Sequence, residues 1–159
     1  MDLKFRVAVR VAKPVAEVFE AVADPSQLSR YFTTGGAKGR LETGAIVHWD
    51  FHDFPGAFPV EVVEVTPNRR IVLRWAANEG SHSEGAAATT AGGYSTTVTM
   101  SFEPLEDGRT LVSISEQGWR ETGTGLKASY GNCEGWTGML CALKVHLEHG
   151  INLRQGMYK

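Results

Sequence analysis

Residues 135–150 read GWTGMLCALKVHLEHG, and the spacing of the apolar members decides how the chain folds. With Trp136 at zero on a wheel of roughly 100° per residue, Leu140, Leu143, Leu147 and Ile151 fall within about 60° of it. Cys133 lies alongside the stripe, while Lys144, Glu148 and His149 lie away from its centre. This pattern predicts one long helix from about Gly125 to Arg154, with Gly131, Gly135 and Gly138 softening its first turns. A long helix with a single apolar face needs a sheet to cover it.

Upstream, that sheet is legible in period-two patterns. Over residues 3–12, Leu3, Phe5, Val7, Val9 and Val11 alternate with Lys4, Arg6 and Arg10, as in a half-buried strand. Two short helices follow. Pro14 starts the first, which carries Val15, Val18, Phe19 and Val22; Asp24 caps the second, which begins at Pro25 and carries Leu28, Tyr31 and Phe32 towards Gly35-Gly36. Further strands are expected at 45–52, 57–66, 70–76, 94–103 and 109–117. Thr66-Pro67-Asn68-Arg69 reads as a type I turn and Glu106-Asp107-Gly108 as a tight hairpin. Such short connections make the sheet antiparallel and the class α+β, in one domain over residues 1–159. Residues 78–93, NEGSHSEGAAATTAGG, have no apolar period and are expected to form a mobile loop, either a hairpin insertion or a lid over a ligand entrance.

Several segments carry a family resemblance. VAKPVAEVFEAVADPSQLSRYF (11–32) resembles the opening of the SRPBCC superfamily, which includes START domains and the birch-pollen allergen. VEVVEVTPNRRIVLRW (60–75) looks like its paired strands closed by a tryptophan, here Trp75. TTVTMSFEPLEDGRTLVSISEQGW (96–119) is similar to its last hairpin, and 135–150 to the start of its final helix, with Trp136 at the matching tryptophan. Within the superfamily the combination most resembles the domain of activator of heat-shock protein 90 ATPase homologues. Tyr31-Phe32 departs from that pattern, standing where many members carry tryptophan. The resemblance implies a helix-grip fold: a curved sheet of about six to seven strands around the long helix, with a cavity between.

Inward strand residues and the helix stripe would line that cavity. The ligand-binding candidates are Trp49, Phe58, Trp75, Tyr94, Val112, Ile114, Glu116, Trp136 and Leu140. Aromatics with a few polar groups are the usual make-up of a small-molecule site, although the same rings equally fill a core. Glu116 is the catalytic candidate. In SISEQGW it shares parity with Val112 and Ile114, so an inward face for those two carries its carboxylate inward, where desolvation raises its pKa. The competing readings are a bulge before Gly118 that turns it to solvent, or pairing with Arg74 or Arg120. His48 and His52 share a face, whereas His82, His146 and His149 are scattered; no triple is spaced as metal ligands, and each reads as a surface histidine.

Lys and Arg total 16 against 18 Asp and Glu, a net charge of −2, which argues against nucleic acid or an anionic membrane as partner. No apolar run is long enough to insert in a membrane, and the charged N-terminus lacks a signal-peptide core, so the expected location is cytoplasmic. Cys133 and Cys141 lie about 12 Å apart along the helix, too far to pair, and are expected to be free and at least partly buried. No nucleophile elbow or phosphate-binding glycine loop occurs, and no cofactor is expected. Three functions follow in order: binding of a small apolar or amphipathic molecule; a cyclase, aromatase or dehydratase with Glu116 as acid or base, assisted by Tyr94 or a histidine; and a chaperone-activating interaction module. A homodimer through a strand edge is compatible with all three.

Overall fold

The computed structural model describes residues 2–79 and 93–159. The expected loop at 78–93 therefore lies almost wholly outside the described residues, as does His82.

Ten elements follow in the order β1 (Lys4–Val11), α1 (Val15–Ala23), α2 (Pro25–Tyr31), β2 (Gly36–Lys38), β3 (Ile46–Phe51), β4 (Phe54–Thr66), β5 (Arg70–Ala76), β6 (Ser95–Pro104), β7 (Thr110–Gln117) and α3 (Gly123–His149). The strands form one antiparallel sheet in the order β1-β7-β6-β5-β4-β3-β2. The chain thus returns β7 to the side of β1, placing Phe5 opposite Glu116 and Val7 opposite Ile114. Register shifts at Trp49/Phe51 and Val62/Glu64 put irregularities into β3 and β4, the device by which a sheet bends around a helix.

Alternation decides which face is covered. Val47, Trp49 and Phe51 of β3, Ile71 and Leu73 of β5, Val98, Met100 and Phe102 of β6, and Val112, Ile114 and Glu116 of β7 all point into the core beneath α3. His48 and His52 are exposed, as expected. Pro14 precedes α1, and the Asp24 carboxylate accepts the Ser26 N–H at 2.8 Å to cap α2. Pro67 and Asn68 make the expected turn, but Asn68 has φ 63°, which belongs to type II rather than type I; Pro at its second position suits both.

The long helix differs from expectation at its end. It stops at His149, where Gly150 adopts a left-handed φ of 67° and its N–H returns to the His146 carbonyl. Ile151 consequently leaves the apolar stripe and is 57% exposed, while Trp136, Met139, Leu140 and Leu143 are buried. Cys133 and Cys141 are free, and Cys141 is exposed rather than buried. His146 is half-buried rather than fully at the surface: it stacks on Tyr31 at 4.9 Å and its Nε2 meets Gln27 Oε1 at 2.9 Å. No described helix is long and apolar enough to cross a membrane.

Candidate functional site

The inward parity of β7 carries Glu116 under α3, and the residue is 0% exposed. Its carboxylate accepts five hydrogen bonds from four described side chains. Trp75 Nε1 donates at 3.0 Å and Thr96 Oγ1 at 2.6 Å to Oε2; Trp136 Nε1 donates at 2.8 Å to Oε1; Asn132 Nδ2 reaches both oxygens at 3.2 and 3.0 Å. One carboxylate therefore ties β5, β6 and β7 to α3. All four partners are neutral, so no opposite charge offsets desolvation, and burial raises the pKa above the ordinary carboxylate value despite the bonds. Both alternatives weighed for Glu116, exposure to solvent and an arginine partner, give way to this arrangement.

Around the carboxylate lies a continuous set of six rings. Trp136 stacks on Trp75 at 5.3 Å and on Phe32 at 5.7 Å. Trp49 meets Phe32, Trp75 and Trp136 edge-on at 5.5 to 6.5 Å. Phe51 contacts Phe32 at 5.0 Å and stacks on Phe58 at 5.9 Å, and Phe58 returns to Trp75 at 5.8 Å. Edge-to-face and offset pairs of this kind contribute about 1 kcal/mol each beyond their burial. Trp49 and Trp136 are buried, whereas Phe58 and Trp75 are half-buried and give the cluster its solvent-facing edge. Val112, Ile114 and Leu140 complete the same core.

Eight of the nine expected site residues are thereby brought into one core; Tyr94 is not. Its hydroxyl donates to Glu79 and accepts the Arg120 N–H at 3.1 Å, and the Arg120 guanidinium lies 4.5 Å over its ring. Thr124 Oγ1 donates to the other Glu79 oxygen at 3.2 Å, fastening the β5 exit to the start of α3. Among the described residues, these rings pack on one another between the sheet and α3. Two surface pockets, of about 550 Å³ beside Val15, Asn68 and Phe102 and about 270 Å³ beside Leu3 and Trp119, are lined by no member of the cluster. Sequence reasoning missed Thr96, Asn132, Phe32 and Phe51. Thr96 shares parity with Val98 and Met100, and Asn132 lies four residues before Trp136 on one helix face, so both signals were present. Tyr31 turns away to donate to the Ala21 carbonyl at 2.9 Å, leaving Phe32 as the member of the pair that joins the rings.

A curved antiparallel sheet gripping one long helix defines a helix-grip domain of the SRPBCC superfamily. The sequence profile described as activator of Hsp90 ATPase homolog 1-like protein matches residues 12–148, and the chain belongs to that family. Among solved structures it is similar to the protein SSP2350 from Staphylococcus saprophyticus, at 27% identity and TM-score 0.71 over 97% of this chain and 96% of that one. It is also similar to DynU16, a protein of the dynemicin biosynthetic locus, at 27% identity and TM-score 0.74 over 94% of this chain; it spans only 49% of DynU16. The Aha1 dimer from Colwellia psychrerythraea shares the fold at 19% identity and TM-score 0.68, covering 92% of this chain and 97% of that one. No curated protein matches the chain.

Proposed function

We propose that the protein binds a small apolar or amphipathic molecule between the sheet and α3, with the rings as its contact surface and Glu116 as its polar anchor. The observation that carries this reading is a fully buried carboxylate among six rings, held among the described residues by neutral donors. Apolar side chains in place of the carboxylate and its donors together would fill the core without the desolvation cost, so stability alone does not account for the set. A ligand bearing a hydroxyl or amide N–H takes over a donor position now held by Thr96 or Asn132, while its apolar body replaces ring–ring contacts. Phe58 and Trp75, the half-buried rings, are the ones that move to admit it.

Binding is favoured over proton transfer by what surrounds the carboxylate. Tyr94 is engaged by Glu79 and Arg120, and His146, a half-buried histidine of the described residues, by Tyr31 and Gln27, so neither of these two reaches Glu116. The two indoles only donate, and Thr96 is the one hydroxyl partner able to reverse its bond when Glu116 takes a proton. The presence of a relative in a biosynthetic locus fits a small-molecule ligand. The test is mass spectrometry of the purified protein under native and then denaturing conditions. A released apolar molecule supports the reading; an empty protein that no apolar compound stabilises against heat removes it.

A further inference from the structure

Beyond Gly150 the chain folds back, and of residues 150–159 only Arg154 is buried. Its guanidinium grips Asp53 in the turn between β3 and β4, with Nη1 2.9 Å from Oδ2 and Nη2 2.9 Å from Oδ1, both side chains 6% exposed. Nη2 donates a charge-assisted hydrogen bond to Oδ1, and Nη1 adds a close charge contact to Oδ2. The guanidinium also lies 5.5 Å over Phe51 and 4.8 Å over Tyr158. Tyr158 in turn rests on α3: its hydroxyl donates to the Glu134 carbonyl at 3.4 Å, and a Cβ at Gly138 would sit 2.4 Å from that hydroxyl. Lys159 Nζ adds a bond to the Asp53 carbonyl at 3.3 Å. The segment thus bridges the β3–β4 turn and the middle of α3.

Phe51, directly beneath Arg154, belongs to the aromatic cluster through Phe32 and Phe58. We propose that residues 150–159 are a latch over this end of the aromatic site, with the Asp53–Arg154 pair as its catch. The proposal rests on the binding reading above and concerns how the site is reached. A strap that lay there only for packing would bury several apolar side chains, yet Ile151 and Leu153 are 57% and 40% exposed. Holding by one ion pair, the contacts of Met157 and Tyr158 on α3 and the Lys159 bond lets the segment leave as a unit once the pair opens, with little core to disrupt.

The test uses acrylamide quenching of tryptophan fluorescence in a Trp119→Phe background, where emission comes only from Trp49, Trp75 and Trp136. Arg154→Ala is expected to raise the quenching constant about twofold with an unchanged far-UV spectrum, because loss of the catch populates the open state. Gly138→Ala pushes Tyr158 off α3 while favouring the helix, and is expected to raise it less. Unchanged quenching in both variants overturns the latch. If Arg154→Ala does not fold, Gly138→Ala decides alone, a rise supporting the latch and no change overturning it. Raised quenching without uptake of 1-anilinonaphthalene-8-sulfonate supports the latch and counts only against the binding reading.

Discussion

Two buried carboxylates sit at opposite extremes of how a protein tolerates a charge. Glu116 is held by two indoles, a hydroxyl and an amide, and burial wins: its pKa is raised. At Asp53 burial also pulls upward as the largest single influence, but the Arg154 hydrogen bond and charge together hold the pKa below the ordinary carboxylate value. The contrast teaches that neutral dipoles can organise a buried charge without fully stabilising it, whereas a hydrogen-bonded cation does both. The first arrangement leaves a carboxylate responsive to a newcomer. The second makes a switchable fastening.

The comparison is broken most severely by Trp136→Ala, which removes a donor to Glu116 and three ring contacts together. It is expected to cost about 4 kcal/mol of unfolding free energy in urea titration. Arg154→Ala strands the Asp53 charge and is expected to cost about 3 kcal/mol, with Asp53→Asn milder because the amide carbonyl can still accept the guanidinium hydrogen bond. Glu116→Gln leaves one indole N–H facing an amide N–H and costs about 1–2 kcal/mol, while flattening the pH dependence described next.

The two carboxylates move stability in opposite directions with pH. Between 4.5, the ordinary value, and its raised folded pKa, Glu116 holds a proton that the unfolded chain lacks, so stability falls as pH rises through that window. Asp53 contributes stability above its ordinary 3.8, and that contribution is lost as pH falls through its lower folded pKa. Urea midpoints across this range for the parent, Glu116→Gln and Asp53→Asn separate the two. The smallest effect is expected at His146, whose pKa is lowered from 6.5 by burial and then by the Arg30 charge. Stability from this residue is full above 6.5 and lost as pH falls through the folded value, and His146→Gln is expected to remove that slope while keeping the bond to Gln27.

Much of the fold was legible because its signals are local. The strand at 70–76, the Asp24 cap and the parity that turns Glu116 inward all rest on neighbours within a few residues. The end of α3 was misread because the apolar period ran on to Ile151, although Gly150 carried the stop signal that prevailed. Whether aromatic residues line a cavity or fill it is not written in periodicity, since both put the same rings on the same face. Phe32, supplied by the segment after α2, closes the space. The Asp53–Arg154 pair joins residues 101 positions apart and leaves no local trace.

The most direct test follows the 15N–H signals of the Trp75 and Trp136 indoles, the two aromatic donors to Glu116, as 1-anilinonaphthalene-8-sulfonate or any molecule recovered from the protein is titrated in. Binding between the sheet and α3 requires both signals to shift together and saturate at one ligand per chain, and Glu116→Gln to weaken the effect. Both signals remaining fixed while ligand binds would contradict the account, placing the ligand elsewhere and leaving Glu116 a structural tie.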